Sequence, residues 1–248
     1  MSDFPARADC VVIGAGIVGN CLVGHLSDLG WTDIVLLDKG PLPNPGGSTG
    51  HASNFIFPVD HSKEIVDLTV DSQHQYEALG LQNTCGGIEV ARSPERMEEF
   101  RRRMTSATCW GIEARLLTVD EVVEMVPFID PDVILGGFYT PSVSVVDPVR
   151  AGTIMREGAQ AKGALSVLDD TEVTGLEVSR PPFGRPRVRA VATSRGVIEV
   201  EQVVIACGVW SPRVAALAGA SIPLTPAVRP ATRRTSSSPP ITTAKSRC

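Results

Sequence analysis

The sequence has few of the features that mark several large classes of protein. It contains no apolar run of the roughly 18 residues that a membrane-spanning helix needs, and its beginning, MSDFPARAD, has no apolar stretch typical of a secretory signal. The formal net charge is −5, with 23 basic against 28 acidic residues, which does not indicate a basic surface for nucleic acid. These absences predict a cytoplasmic globular protein that binds neither a membrane nor a nucleic acid.

The spacing of the cysteines indicates neither a redox pair nor a metal site. The six cysteines include no C-x-x-C motif, and none stands at metal-ligand spacing from a histidine. We therefore expect reduced thiols and no metal site.

A strand–turn–helix–strand pattern near the beginning carries the strongest local signal. Residues 8–13 (ADCVVI) predict a buried parallel strand, a periodic apolar helix follows, and DIVLLDK predicts a second strand. Between the first strand and the helix lies G-x-G-x-x-G, whose glycines permit a tight turn, approach of the backbone to a pyrophosphate, and close helix packing. Asp38, at the end of the second strand, is placed to accept hydrogen bonds from ribose hydroxyls.

This pattern predicts a dinucleotide site. Asp38 fits either NAD or FAD and disfavours NADP. The residues assigned to the site are Gly14, Ala15, Gly16, Ile17, Val18, Gly19 and Asp38.

A loop of small residues that ends on a histidine follows the second strand. In PGGSTGHASNF the glycines at 46, 47 and 50 would let the backbone pass close over a flat ring. Ser48 and Thr49 add hydroxyl groups. His51 adds an imidazole, which is a good nucleophile near pH 7 when neutral.

Capping signals and apolar periodicity divide the rest of the chain. Helices are predicted over residues 61–79, 94–110 and 147–162, and Thr118 and Glu121 stand at capping-box spacing. The basic run 101–103 is expected to be a solvated face, with phosphate binding as the alternative. Strand-sized runs from residue 164 onward predict a β-meander that returns to a final buried strand, Val203–Ala206.

Several stretches resemble one family. VVIGAGIVGNCLVGHLSDLGWTDIVLLDKGPLPNPGGSTGHAS, GGIEVA, WGIEARLLT, ILGGFYTP and VVIACGVWS are similar to the dimethylglycine dehydrogenase/oxidase and sarcosine dehydrogenase group of FAD-dependent amine oxidoreductases. The resemblance runs from about residue 8 to about residue 228. It implies oxidation of the C–N bond of a small N-methylated glycine, with a hydride equivalent passed to FAD and an imine left behind.

The resemblance also implies a fold and a division of the chain. The fold class is α/β, an FAD-binding Rossmann-like domain with an inserted, incomplete α+β substrate domain. Residues 1–85 and 147–228 are assigned to the FAD-binding domain, residues 86–146 to the substrate domain, and residues 229–248 to a disordered, aberrant tail.

Site residues follow from the resemblance position by position. Residues 14–19 with Asp38 and Lys39 match the part that holds ADP, and Val173 matches a backbone contact to adenine. Gly208, after the final strand, offers a second approach to the nucleotide. The loop over the flavin is matched by Gly47, Ser48, Thr49, Gly50 and His51. His51 matches the histidine that carries a covalent flavin link in the family, with a non-covalent contact as the alternative.

The end of the chain departs from the family. After SIPLTPAV the family continues with a P-x-x-H-Q-[YM]-like segment that bears a catalytic histidine, whereas Arg229-Pro230 stands here. The final 20 residues hold five basic and no acidic residues, a composition too poor in apolar side chains to order itself. We therefore expect an incomplete version of the family's protein and assign no catalytic residue.

Three alternatives stay open at this point. The first is a flavin-binding module without turnover, and the second is another FAD-dependent amino-acid oxidase. The third is an NAD-dependent Rossmann dehydrogenase, and this alternative would not explain the loop that ends at His51. Oxygen and a flavoprotein both stay open as the electron acceptor.

Overall fold

A computed structural model describes residues 4–225 of the chain. The tail predicted to be disordered from Arg229 lies outside these residues, as does the segment where the family's catalytic histidine was expected. The strands are β1 (Arg7–Ile13), β2 (Ile34–Leu37), β3 (Phe55–Ile56), β4 (Asn83–Thr84), β5 (Gly87–Ala91), β6 (Arg115–Leu117), β7 (Gly136–Thr140), β8 (Ser144–Val145), β9 (Leu165–Leu168), β10 (Val173–Ser179), β11 (Arg187–Thr193) and β12 (Gly196–Ile205). The α-helices are α1 (Ile17–Asp28), α2 (Lys63–Ala78), α3 (Pro94–Cys109), α4 (Val119–Met125), α5 (Pro148–Ala161) and α6 (Ser211–Leu217), with short 3₁₀ turns at Ser48–His51, Pro131–Val133 and Gly208–Trp210.

A six-stranded sheet joins the two ends of the described chain. Its order is β10-β11-β12-β1-β2-β9, and β1 pairs in parallel with both β12 and β2. Val11 lies opposite Val203 and Ile13 opposite Ile205. The two strands predicted over residues 8–13 and 203–206 thus lie side by side in one mostly parallel sheet, and the α/β fold class is confirmed.

The predicted β-meander needs a correction. The run ALSVLDDTEVTGLEVS contains two strands, and the first of them, β9, pairs in parallel with β2. Only β10, β11 and β12 form an antiparallel meander. The reason is that β9 is preceded by α5, a crossover helix of the kind that parallel pairing requires. The final strand is also longer than predicted, and its residues 203–205 are half-buried rather than buried.

Apolar side chains cover both faces of the parallel part of this sheet. Alternate residues of β1 and β2 belong to different clusters: Val11 and Val35 pack on one face, Val12 and Leu36 on the other. Because both faces are covered, these strands are apolar without alternation, as parallel strands usually are. Helices α1 and α5 pack against each other beside the second face, where Val23 and Ala159 join its cluster.

The middle of the chain forms smaller sheets. Strands β5-β7-β6 make one three-stranded sheet under α3, where Phe100 stacks on Phe138 with ring centroids 5.6 Å apart. The predicted capping box is confirmed, since Thr118 and Glu121 each satisfy the other's backbone N–H. Strands β3-β8-β4 make the other sheet.

One residue of the basic run is not solvated as expected. Arg101 and Arg102 are exposed, but Arg103 is only 7% exposed, and its Nη2 lies 2.7 Å from Oε1 of Glu89. The cause is helical spacing, because Phe100, Arg103 and Ala107 share the face of α3 that covers the sheet.

Among residues 4–225 no helix is both long and apolar enough to cross a membrane. In the same range no group of three or more histidine, cysteine or acidic side chains is arranged to hold a metal ion. The five cysteines that the structure describes are free thiols.

Candidate cofactor-binding site

The glycine-rich turn joins β1 to α1 with almost no free space. Gly14 has a φ of +106°, and a Cβ there would lie 2.5 Å from the carbonyl oxygen of Ala206 at the end of β12. A Cβ on Gly19 would lie 1.8 Å from the carbonyl oxygen of Gly14. Backbone contacts therefore demand glycine at both positions. At Gly16 the nearest atom to a Cβ would be Thr49 Oγ1, at 3.2 Å, so this glycine faces the next loop rather than the sheet.

Asp38 follows β2 directly and holds two backbone segments together. Its Oδ2 accepts from the Ala15 N–H at 2.8 Å, and its Oδ1 accepts from the Gly40 N–H at 2.9 Å. A carboxylate has about four acceptor positions, so these two bonds leave capacity for further donors such as hydroxyl groups. The acid is therefore fixed in place at the carboxyl end of β2 and still able to bind a ligand.

The first turn of α1 suits a negatively charged group. Its N-cap residue, Gly16, has no side chain to cap the helix, and its first turn contains no acidic residue. One N–H of this turn, that of Ile17, donates to Thr49 Oγ1 at 2.9 Å. The N-terminal N–H groups and the helix dipole favour an anion here, because orphan donors and partial positive charge coincide.

The loop that follows β2 passes beside this turn. Residues Ser48–His51 form a 3₁₀ turn in contact with α5, with Thr49 half-buried and His51 exposed. A Cβ on Gly47 would meet no atom within 4 Å, whereas one on Gly50 would lie 2.6 Å from the Asn44 side chain. The small residue at Gly50 therefore makes room for Asn44 of the same loop.

The end of β12 brings a third segment to the same edge. The Cys207 thiol donates to the Ile13 carbonyl at 3.2 Å, and burial raises the pKa of Cys207 to about 11. Gly208 has a φ of +51° and open space around its Cβ position. Beyond it, the Trp210 ring lies under Lys39 Nζ, at 5.5 Å from the ring centre, and near the Arg213 guanidinium, at 5.1 Å.

Trp210 and Arg213 were missed in the sequence. Both residues come shortly after the predicted final strand, β12. Because the carboxyl ends of parallel strands meet at one edge, this position could have indicated that they lie near the site. Val173, which was predicted, begins β10 and packs partly buried against the cluster that contains Leu37. The neighbouring Thr171 N–H donates to the Asp38 carbonyl at 2.8 Å, so the start of β10 lies close to the acid.

Two clefts of the described chain lie away from this edge. One, of about 340 Å³, is lined by residues of the 57–61 loop, β5 and α3, and another, of about 310 Å³, by residues of α2 and the 82–84 and 111–113 segments. None of their lining residues belongs to the glycine-rich turn. The site is therefore recognised by its donors and acceptors rather than by cavity volume.

Together these residues fit an adenine dinucleotide. The structure brings residues 14–19, Asp38, Lys39, Thr49 and Gly208 to the carboxyl ends of β1, β2 and β12, with Val173 beside them. Two features carry the fit: the first turn of α1 lacks an acidic residue, and Asp38 keeps acceptor capacity. His51 lies on the surface of the same loop as Thr49.

Comparison with known proteins gives one family over almost the whole chain. The sequence pattern described as "FAD dependent oxidoreductase" matches residues 9–245, so the match continues beyond residue 228, where the resemblance was expected to stop. Mitochondrial sarcosine dehydrogenase of Mus musculus is 32% identical over 231 residues, which are 89% of this chain and 25% of that protein. Mitochondrial dimethylglycine dehydrogenase of Rattus norvegicus is 30% identical over 234 residues, 90% of this chain and 26% of that protein.

The chain thus spans about a quarter of the length of these relatives. Among solved structures, L-proline dehydrogenase from P. horikoshii superimposes with a TM-score of 0.78 and 25% identity, covering 87% of this chain and 57% of that one. Glycine oxidase from Geobacillus kaustophilus, at 23% identity and a TM-score of 0.73, shares the fold over 88% of this chain and 60% of its own.

Proposed function

The chain belongs to the family of FAD-dependent oxidoreductases, and from this premise we propose that it binds FAD and serves the oxidation of the C–N bond of an N-methylated glycine. One observation carries the cofactor part: the glycine-rich turn, Asp38 and the Thr49 loop meet at the carboxyl ends of β1, β2 and β12. Similarity to sarcosine and dimethylglycine dehydrogenases supports the substrate class.

Each segment of the edge has a separate binding role in this proposal. The N–H groups at the start of α1 hold the pyrophosphate, and Asp38 accepts from the ribose hydroxyls of the adenosine. Val173 borders the adenine. Lys39, held over Trp210, contributes positive charge at the open side of the edge. Gly208, where a Cβ would meet no atom within 4 Å, lets the backbone approach the nucleotide.

When bound, FAD would itself accept the hydride equivalent that leaves the oxidised C–N bond. The chain's own residues orient the dinucleotide, and the loop of residues 47–51 covers its flavin end. We also propose the division into residues 1–85 and 147–228 for FAD binding and 86–146 for the substrate side. A cytoplasmic location is part of the proposal, although the names of the two dehydrogenases place them in mitochondria.

His51 is proposed as the residue to which flavin is attached in an intact version of the protein. It is exposed at the end of the Ser48–His51 turn, so no side chain blocks its imidazole from a ligand on that side. After acid denaturation the yellow colour should stay with the wild-type polypeptide and be released from His51→Ala. His25→Ala, an exposed histidine on α1, is the matched control and should keep the colour bound. Release of all flavin from an intact wild-type version of the protein would refute the attachment.

The cofactor is tested by titration with FAD. Binding should quench flavin fluorescence, and Asp38→Ala should weaken binding by roughly 10- to 100-fold, the loss expected for hydrogen bonds to a charged group. Asp71→Ala, an exposed aspartate on α2, should bind as the wild type does. Colourless protein that binds NAD instead would favour the nicotinamide alternative.

Turnover is tested on the FAD-loaded chain without oxygen. Sarcosine or dimethylglycine should bleach the visible flavin band, and glycine should not. Flavin that binds but is not bleached by either amine would support a flavin-binding module without turnover. Bleaching by unmethylated amino acids alone would support another amino-acid oxidase.

A further inference from the structure

A buried arginine lies in α5 without a carboxylate partner. Arg156 is 7% exposed, and burial lowers the pKa of its guanidinium, an effect that the charges of Glu157 and Asp169 partly oppose. Among the residues that the structure describes, it forms no ion pair within 4 Å; its Nη1 donates only to Asn20 Oδ1, at 3.2 Å. A buried charge held by a neutral amide is costly to the folded state, so its presence calls for a function.

Arg103 shows the ordinary solution to the same problem. It is equally buried, at 7% exposure, but its guanidinium meets the Glu89 carboxylate at 2.7 Å. The two buried arginines therefore differ in their partners and not in their burial. Only Arg156 keeps its charge uncompensated by direct contact.

From Arg156 a chain of hydrogen bonds leads to the proposed ribose-binding acid. Asn20, which is 3% exposed, accepts from Arg156 and donates through Nδ2 to the Ala15 carbonyl at 2.6 Å. The Ala15 N–H in turn donates to Asp38 Oδ2 at 2.8 Å. The cation polarises the Asn20 amide, which holds the Ala15 carbonyl, while the N–H of Ala15, in the preceding peptide group, holds the carboxylate. The two contacts together fix the backbone of Ala15.

Tight helix packing holds this chain of groups in place. A Cβ on Gly152 would lie 3.1 Å from Asn20 Nδ2, and one on Gly24 would lie 3.2 Å from Met155 Cβ. Helices α1 and α5 therefore approach closely, and the Asn20 amide has little room to turn.

We propose that Arg156 and Asn20 are positioning residues for the dinucleotide: through the Ala15 carbonyl they fix the backbone of Ala15, and the N–H of that residue holds Asp38 for the adenosine ribose. The inference rests on the proposed function and deepens it. Neither residue is proposed to touch the ligand.

The test compares binding with stability. In the double variant Asn20→Leu, Arg156→Met both partners of the Arg156–Asn20 bond become apolar groups of similar size, which is often neutral for the folded state. The Ala15 carbonyl is the one acceptor that loses its partner. Its unfolding temperature without ligand should stay near that of the wild type, while its dissociation constants for ADP and FAD rise about tenfold, the effect of one charge-assisted hydrogen bond. Arg150→Met, which removes an exposed arginine from the same helix, is the matched control and should change neither.

Single variants separate positioning from general support of the fold. Arg156→Lys keeps a donor for Asn20 Oδ1 and should recover part of the lost ADP affinity, although it lacks the guanidinium fork. If the double variant does not fold, Arg156→Lys and Asn20→Asp, followed by ADP calorimetry at equal folded fraction, decide the question. A folded variant that binds ADP and FAD as tightly as the wild type overturns the positioning role and leaves the proposed function intact. Wild-type protein that binds neither ligand refutes the proposed function, and the positioning role with it.

Discussion

The six-stranded sheet and the sheet β5-β7-β6 bury their side chains to different extents. In β2 all four residues are buried, whereas β6 has only Leu117 buried. Around the smaller sheet Leu116, Met125 and Phe128 are exposed, Phe128 to 90%. The edge at the carboxyl ends of β1, β2 and β12 is thus built on a core covered on both faces, while the sheet β5-β7-β6 has exposed apolar side chains around it.

This difference shows which part of the molecule holds its atoms most firmly in position. Most of the groups proposed to bind the dinucleotide are backbone atoms and the Asp38 carboxylate, which follow strands whose side chains are closely packed. The middle region has a packed aromatic pair under α3 and an open outer surface. Four experiments test the contrast, in order of decreasing expected effect.

Phe100→Ala should have the largest effect. Phe100 is fully buried and stacks on Phe138, so truncation should lower the free energy of unfolding by roughly 3–5 kcal/mol. Chemical denaturation followed by circular dichroism measures the loss, and Phe183→Ala, at 94% exposure, is the control expected to be neutral. If a folded Phe100→Ala also loses ADP binding, the two regions are less independent than the packing indicates.

Gly19→Ala should come next. The new Cβ would lie 1.8 Å from a backbone oxygen, so α1 must move away from β1 at the upper end of the roughly 1–3 kcal/mol typical of overpacking. Unlike Phe100→Ala, this change should also weaken ADP binding, because it displaces the turn. Gly158→Ala lies in a helix with no atom within 4 Å and should be neutral or slightly stabilising. Wild-type stability in Gly19→Ala would mean that the turn is looser than described.

Thr118→Ala should have a smaller effect, confined to the middle region. It removes the side chain that accepts from the Glu121 N–H at the start of α4, and loss of such a cap costs about 1 kcal/mol. The change should appear in the denaturation midpoint and leave FAD or ADP titrations unaltered. Thr105→Ala on α3, an exposed threonine outside any N-cap, should shift the midpoint less.

Cysteine labelling should reveal the contrast without altering stability. Burial raises the pKa values of Cys10, Cys21 and Cys207, the last to about 11, whereas Cys85 and Cys109 of the middle region are exposed. At pH 8 a thiol of pKa about 11 carries roughly a hundredth of the thiolate of one at its ordinary value of 9.0. Iodoacetamide followed by peptide mass spectrometry should therefore modify Cys85 and Cys109 first. Early labelling of Cys207 in folded protein would contradict the burial of this thiol.

Local chemistry determined the parts of the molecule that the sequence predicts well. The glycine-rich turn, the Ser93 and Thr118 caps and the Asp147 helix start depend on residues within a few positions of one another. Asp38 was found in the same manner, because a strand end and an acidic residue occur together. Its hydrogen bond to Ala15 follows once β1 and β2 are neighbours.

Only the tertiary structure decided the partners of residues that are distant along the chain. The apolar run of β9 is compatible with a meander or a parallel strand, and its pairing with β2 depends on how α5 crosses over. Arg103 was expected to be solvated with the rest of its basic run, but the face of α3 that carries it is covered by elements far away in sequence, and the same holds for the face of α5 that carries Arg156. Periodicity tells which residues share a face; what covers that face, and whether a buried charge meets a carboxylate or an amide, depends on packing between segments that the local pattern does not encode.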